Sequence, residues 1–524
     1  MAREARGPHG QVNHPGHWPS MSTDSARVRR VVFVLLFASY AYFYQGGGWN
    51  QNSRFALVRG ITSQRTLKID AFASCTGDRA LFNGHYYSDK APGLSLTAVP
   101  IVALARTALH ALGRDPEDPA GLAFLSYLAT VLTVGLLTAL AGARLYSLAI
   151  ELGASPGGAF FAAMTFGLGT PIWTLATLFV GHAFSAALLV LALASASRIG
   201  ADRGRPARAD LKLGALVGTC AGWATVSEFP AGVPAVLIAL LAVSNAWPLG
   251  RDRALRVLGV TAVTALACAA VLMTYQYFCF GSPFQVAYGG EEAFGRMQEG
   301  VFGIKLRTLT RVRRVLWGIL FGEYRGLLPL APTLAVAPVG LALMVLGSPR
   351  ARRAAIAASI VAAYYVLLNA NYAYWDGGWS YGPRHASPAI PFLCLGLGAL
   401  WTVVPRLARW LLAGLSIYGL AVTLVAVSTM PMPPVEFPNP TSDLLWPAFR
   451  DGDLSLNTQS FAAESPADAD FRAHREPKAA FNLGIKLGLA GRRSLIPLLV
   501  VWAACAVALW GWRPAHRSPA GRPA

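Results

Sequence analysis

Charge is scarce in this chain of 524 residues: 14% are Asp, Glu, Lys or Arg, against roughly one quarter in a typical soluble domain. Acids are scarcer still, 26 against 45 Lys plus Arg, which leaves a formal net charge of +19. With 54% hydrophobic residues and a mean hydropathy of +0.44, this shortage excludes an ordinary soluble domain, whose single core could not bury so many apolar runs. The basic excess does not point to nucleic acid, because the arginines cluster at the ends of apolar segments, where they act as topology determinants. Cysteine is limited to six residues with no CxxC and no Cys/His spacing, so no metal is expected. Cys220, Cys268, Cys394 and Cys505 lie inside apolar runs as small hydrophobic filler. Cys75 and Cys279 fall in segments read as external, where a disulfide is open but nothing in the sequence brings them together. There is no internal repeat, and no DxD beside a cytoplasmic loop to signal a nucleotide-sugar site.

What is abundant is hydrocarbon. A spanning helix needs about 20 apolar residues. The sequence predicts an all-α polytopic membrane protein with about twelve spans, near 31–46, 120–143, 156–177, 179–198, 212–228, 231–247, 257–278, 325–347, 354–371, 387–404, 408–430 and 494–511. The polar tail to Arg30 and the missing small-residue cleavage site make the first run a signal anchor. Arg27, Arg29 and Arg30, the loops 198–212, 250–256 and 348–353, and the tail with Arg513, Arg517 and Arg522 mark the cytoplasmic side. Parity then requires residues 92–112 to lie at the outer surface, so that 46–119 is one long external loop bearing surface helices. The expected division is a cytoplasmic tail (1–30), a transmembrane domain (31–430), an external cap (431–493) with "AFNLGIKLGLAG" as a surface helix, a last span (494–511) and a basic tail (512–524). Lys305, Arg307, Arg311, Arg313 and Arg314, with Arg492 and Arg493, resist the charge rule on the external side; such a segment suits anionic lipid heads.

Polar residues gather at the predicted outer boundaries: "GGGWNQNSRF" (46–55), "NGHYYSDKAPG" (83–93), "GTPIWTLATLFVGHAF" (169–184), "FGEYRGLLPLAP" (321–332) and "NYAYWDGGWSYGPRHASPAIPF" (371–392). Trp49, Tyr86, Tyr87, Trp375 and Trp379 suit either sugar stacking or an interfacial belt. "NSRFALVRGITSQRTLKID" followed by "ALFNGHYYSDKAPGLSL" resembles the first external loop of the GT-C glycosyltransferases, especially family 39 with its aminoarabinose and protein mannosyltransferases. "GLGTPIWTLATLFVGHAFSA" is similar to the segment closing that family's third span, and "GWSYGPRHASPAIPF" resembles loops of bacterial relatives.

The resemblance implies a membrane glycosyltransferase that moves a sugar from a polyprenyl-phosphate-linked donor to a lipid, glycan or protein hydroxyl on the outer face of the plasma membrane, with no cofactor beyond the donor. By position, Lys90 corresponds to the lysine that contacts the donor phosphate, and Asp89 to the neighbouring glutamate. Arg384, Arg325, Tyr87, Gln51 and Asn52 complete the candidate substrate- and phosphate-binding set. One departure stands out: the acidic pair expected after the first span is Gln51 and Asn52, amides that cannot accept a proton as a general base. Asp89, Asp70 and His182 are the candidate catalytic replacements. A catalytically silent member of the fold and a transporter or lipid flippase are the competing readings.

Overall fold

The computed structural model describes residues 23–462 and 478–510, apart from 203, 205 and 302. The predicted tail cations Arg513, Arg517 and Arg522 lie outside the described residues, as do 1–22 and 463–477 of the cap. The first helix, α1 (Thr23–Ala41), gives way to a short strand β1 (Phe43–Tyr44) and then α2 (Trp49–Arg59). A hairpin of β2 (Arg79–Phe82) and β3 (His85–Ser88) precedes α3 (Gly93–Ala111). α4 (Pro119–Thr130) and α5 (Leu136–Glu151) make one helical run through a π-turn, and are followed by α6 (Pro156–Leu168), the short α7 (Ile172–Ala176), α8 (Gly181–Arg198), α9 (Ala207–Ser227), α10 (Gly232–Ala246) and α11 (Arg251–Phe280). After a long loop come α12 (Leu309–Leu320), α13 (Leu327–Leu330), α14 (Ala337–Val345), α15 (Pro349–Asn371), α16 (Ile390–Val403) and α17 (Arg406–Thr429). α18 (Trp446–Asp451), β4 (Phe481–Asn482), α19 (Leu483–Lys486) and α20 (Ile496–Leu509) complete the chain.

Local chemistry sets several of these starts. Asp118, Ser155 and Ser348 each cap a helix whose first residue is proline, accepting from Gly121, Gly158 and Ala351 N–H respectively. Helices pack through small residues: a Cβ on Gly340 of α14 would lie 1.9 Å from the Gly396 carbonyl oxygen of α16, so the two backbones meet directly.

The protein is all-α in its bulk and built to cross a membrane many times. Among the described residues, eight helices are long and apolar enough to do so: Gly93–Ala111, Pro119–Glu151, Gly181–Arg198, Phe229–Leu249, Arg251–Phe280, Pro349–Asn371, Arg406–Thr429 and Gly491–Leu509. Pro156–Leu168, Pro332–Val345 and Ser387–Val403 are shorter apolar helices. Each of the twelve predicted spans coincides with helix, but the count differs: only seven of the twelve meet the length and hydropathy condition, and the eighth helix that does is α3, predicted as a surface element. The first predicted span also runs too far, since the chain leaves helix at Ala41. In the cap, the predicted surface helix reduces to one turn, α19, preceded by the β1–β4 pair. No disulfide forms among the described residues, so Cys75 and Cys279 are not bridged to each other.

The bundle has two chemically distinct ends. At one, Glu151 pairs with Arg144 and Arg198, and Asn245 takes Arg353 Nε and donates to the Ala196 carbonyl, so the end of α5 lies together with the basic loops after α8, α10 and α14. At the other lie α2, the β2–β3 hairpin, the start of α8, the end of α9 and the loops 281–308 and 372–389. Replacing Gly340 by Leu should overpack the α14–α16 crossing and cost about 1–3 kcal/mol, read as a lower melting temperature in detergent, whereas Gly259→Ala, with nothing within 4 Å of the new methyl, should not.

Candidate active site

The second end collects charge that the membrane would not tolerate elsewhere. α2 begins with polar residues, yet Gln51, Asn52, Ser53 and Arg54 are all buried. Arg54 donates from Nη2 to Glu228 Oε1 at 2.6 Å, from Nη1 to the Ala91 carbonyl at 3.0 Å and from Nε to Asn50 Oδ1 at 3.1 Å. The β2–β3 hairpin delivers the strip "SDK" beneath this helix. Lys90 Nζ lies 2.5 Å from Asp89 Oδ2 and 2.8 Å from Asp78 Oδ2, and Ser53 Oγ donates to Asp89 Oδ1 at 3.2 Å. A backbone bridge between Ala80 and Glu291 carries a third acid to the same cluster. Glu291 is buried, and its Oε2 has no hydrogen-bond partner among the described residues.

Burial alone would lower the Lys90 ammonium, but the carboxylates of Asp78 and Asp89 outweigh it and hold the lysine above its usual value. Burial raises Asp78 despite Lys90, with Asp89 adding repulsion. Burial, then the Asp89 carboxylate, push Glu291 up to about 10, so it carries a proton at neutral pH. With Glu291 neutral, the three cations Lys90, Arg54 and Arg384 face the three carboxylates Asp78, Asp89 and Glu228. Burial also raises Glu228, against the pull of Arg54.

Above this layer sits a cavity of about 220 Å³. Trp49, Phe294 and Trp379 form its apolar walls, and Gln51, Asp78 and Arg384 its polar ones. Trp49 reaches its place because residue 77 is glycine: a Cβ there would stand 2.6 Å from the indole. Gly377 and Gly378, both at positive φ (75° and 61°), turn the 372–389 loop beneath the Arg384 side chain. Arg384 has no carboxylate partner among the described residues, and its Nε is buried without a hydrogen bond. His385, next to it, stacks edge-on against His182 at 5.3 Å and against Tyr372 at 4.6 Å; burial, then Arg384, push it well below the usual imidazole value.

Of the residues singled out in the sequence, Asp89, Lys90, His182 and Arg384 converge here, and Gln51 lines the cavity. His182 is buried with Nδ1 3.9 Å from Glu228 Oε1, beyond hydrogen-bond reach. The other four have different employment. Asn52 donates to the Cys75 and Ser460 carbonyls and accepts from Gly48 N–H, tying the cap to the first loop. Arg325 donates to the Asp376 and Gly378 carbonyls and lies over the Tyr324 ring, bracing the cavity wall. Tyr87 packs on Phe280. Asp70 is exposed and braces the hairpin through His85 and the Tyr86 N–H. Asp78 and Glu291 were not singled out: each is an acid in a polar external loop, Glu291 beside Glu292, and only the hairpin pairing and the 281–300 loop bring them to Lys90.

No family model and no curated protein matches the chain. Among solved structures, the chain is similar to ArnT from Cupriavidus metallidurans bound to undecaprenyl phosphate, at 16% identity and a TM-score of 0.49 over 92% of this chain and 74% of that one. The apo state of the same protein gives 17% identity and a TM-score of 0.46 over the same shares. The archaeal oligosaccharyltransferase AglB from Archaeoglobus fulgidus, in complex with an inhibitory peptide and a dolichol-phosphate, gives 14% and 0.41 over 76% and 56%. These are likenesses of fold. They say nothing about which residues act.

The raised Glu291 makes a stability prediction. The folded state holds a proton that the unfolded chain releases above about 4.5, so this contribution is complete below that pH and is lost progressively as pH rises toward 10. Glu291→Gln cannot ionise, so wild type should lose melting temperature relative to this variant on going from about pH 5 to 9. Parallel curves would remove the protonated Glu291 from the account.

Proposed function

We propose that this chain is a membrane glycosyltransferase that moves a sugar from a polyprenyl-phosphate-linked donor to a hydroxyl of a lipid, glycan or protein, at the external face of a plasma membrane. The observation that carries this reading is a single cavity lined by an unpaired arginine, Arg384, a carboxylate, Asp78, and three aromatic walls. The likeness of "NGHYYSDKAPG" to the first loop of GT-C glycosyltransferases adds support of a different kind.

In this scheme the acceptor hydroxyl oxygen attacks the anomeric carbon, the bond from that carbon to the phosphate oxygen breaks, and the polyprenyl phosphate leaves with the electron pair. Asp78 takes the hydroxyl proton. A carboxyl held above its ordinary value by burial is a better base than a solvated one. Lys90, bonded to both Asp78 and Asp89, orients the base, because its ammonium is already engaged by two carboxylates. Arg384 is the group free to accept the phosphate charge as it develops, and a guanidinium can do so with two parallel hydrogen bonds. Trp49 and Trp379 offer faces for the sugar ring. Beyond donor and acceptor the scheme calls on no cofactor.

Gln51 and Asn52 keep the silent-fold reading in play, and one experiment separates the two. With labelled polyprenyl-phosphate sugars and the protein in nanodiscs, Asp78→Asn should leave donor binding within a few-fold of wild type and reduce transfer by about 10²–10⁴. Arg384→Ala should weaken donor binding by about tenfold or more. Binding without transfer by wild type across acceptor classes would favour the silent fold, and no binding at all would favour a transporter.

A further inference from the structure

The basic external segment that resists the charge rule is ordered in a way that assigns it a partner. α12 carries Arg311, Arg313 and Arg314 within "LTRVRRVLWGIL" and packs Val315 and Ile319 against Ala370 and Trp375 at the outer end of α15. Its opposite face is open. Trp317, 66% exposed, stands at the middle of that face, with Arg313 and Arg314 about 40° and about 60° to either side at 3.6 residues per turn. Leu309 and Phe321 are exposed along it, and Leu306 and Lys305 just before it. Arg313 and Arg314 pair with no carboxylate among the described residues. Lys305 has only a distant contact, 3.9 Å, to Glu299.

An exposed tryptophan flanked by leucine, phenylalanine and unpaired cations is the composition that settles at a bilayer's headgroup layer. The cations sit where the apolar side chains would bring them level with lipid phosphates. We propose that α12 docks on the anionic phospholipid headgroups of the outer leaflet, and that this contact sets the wall of the cavity.

The second half of the inference rests on how the segment is tied. The Ala373 N–H donates to the Gly303 carbonyl, the Arg307 N–H to Asn371 Oδ1, and Arg311 Nη2 to the Ala373 carbonyl at 3.5 Å. A Cβ at Gly318 would lie 3.1 Å from the Trp375 ring. Residues 371–375 run directly into Gly377, Gly378 and Trp379, which line the cavity, and on to Arg384. A lipid that fixes α12 therefore fixes the start of the loop that presents Arg384.

The test titrates delipidated full-length protein with phosphatidylglycerol and phosphatidylcholine of matched acyl chains and reads bound lipid by native mass spectrometry. Wild type should prefer phosphatidylglycerol, and a triple variant, Lys305→Gln with Arg313→Gln and Arg314→Gln, should lose that preference by roughly fivefold per charge removed. The variant's melting temperature in detergent should match wild type, since all three side chains point outward. Arg313→Lys with Arg314→Lys should retain the preference. An unchanged preference in the neutral variant, or its loss in the charge-retaining one, overturns the proposal. In a second arm, which rests on the function proposed above, sugar transfer in nanodiscs should rise with phosphatidylglycerol for wild type and not for the neutral variant. Equal transfer in both lipids, from an active wild type, would overturn the coupling to the cavity. Absence of transfer in every lipid would count against the transferase alone, because the lipid preference is read without it.

Discussion

A buried lysine between two aspartates is the contact on which the outer end of this protein depends. Lys90 ties the two ends of the β2–β3 hairpin together through Asp78 and Asp89, Ser53 and Arg54 hold that junction to α2 through Asp89 and the Ala91 carbonyl, and Glu291 closes the cluster from a loop some two hundred residues away in sequence. Arg54 and Glu228 repeat the device between α2 and the end of α9. Removing one partner from such a group leaves an uncompensated charge that costs several kcal/mol in a low-dielectric site. That penalty makes the loops at this end behave as one unit, although they are short of regular secondary structure. Four acids face three cations here, and burial with the neighbouring Asp89 carboxylate favours a proton on Glu291. Arg384 pairs with no carboxylate among the described residues, and it faces the cavity.

The same arrangement explains what the amides at 51 and 52 do. Asn52 is saturated by two carbonyl acceptors and a backbone donor, so it serves to lock the cap segment around Ser460 over the first loop. Gln51 lines the cavity with its amide near Met432. Neither can take a proton. Under the proposed function the carboxylate would come instead from Asp78, which reaches the same cavity from the loop before β2. In this reading the acid has moved along the chain while the space it serves has stayed in place.

Much of the architecture was legible because hydropathy is a strong, local signal: every predicted span coincides with helix, and the basic loops after α8, α10 and α14 do share one end. Hydropathy alone does not separate a span from a helix lying at the surface: α3 is long and apolar enough for either, and its Arg106 is spent on Glu117 rather than on topology. In the site, Lys90, Asp89, His182 and Arg384 stood out because ionisable groups beside apolar runs are costly unless they are used. Asp78 and Glu291 did not, since an acid in a polar loop looks solvated until a hairpin register and a bridge at Ala80 bury it. Asp70, by the same token, looked usable and turned out to brace a turn.

The central claim is that Arg384 is the group left free to meet a lipid-borne phosphate in the cavity lined by Asp78. The most direct measurement is a cryo-electron-microscopy structure of the protein in nanodiscs loaded with a polyprenyl phosphate. The account predicts phosphate density within hydrogen-bond distance of the Arg384 guanidinium, with Lys90 still bonded to Asp78 and Asp89. Phosphate bound elsewhere with Arg384 unengaged, or Lys90 swung away from both aspartates to hold it, would contradict the account.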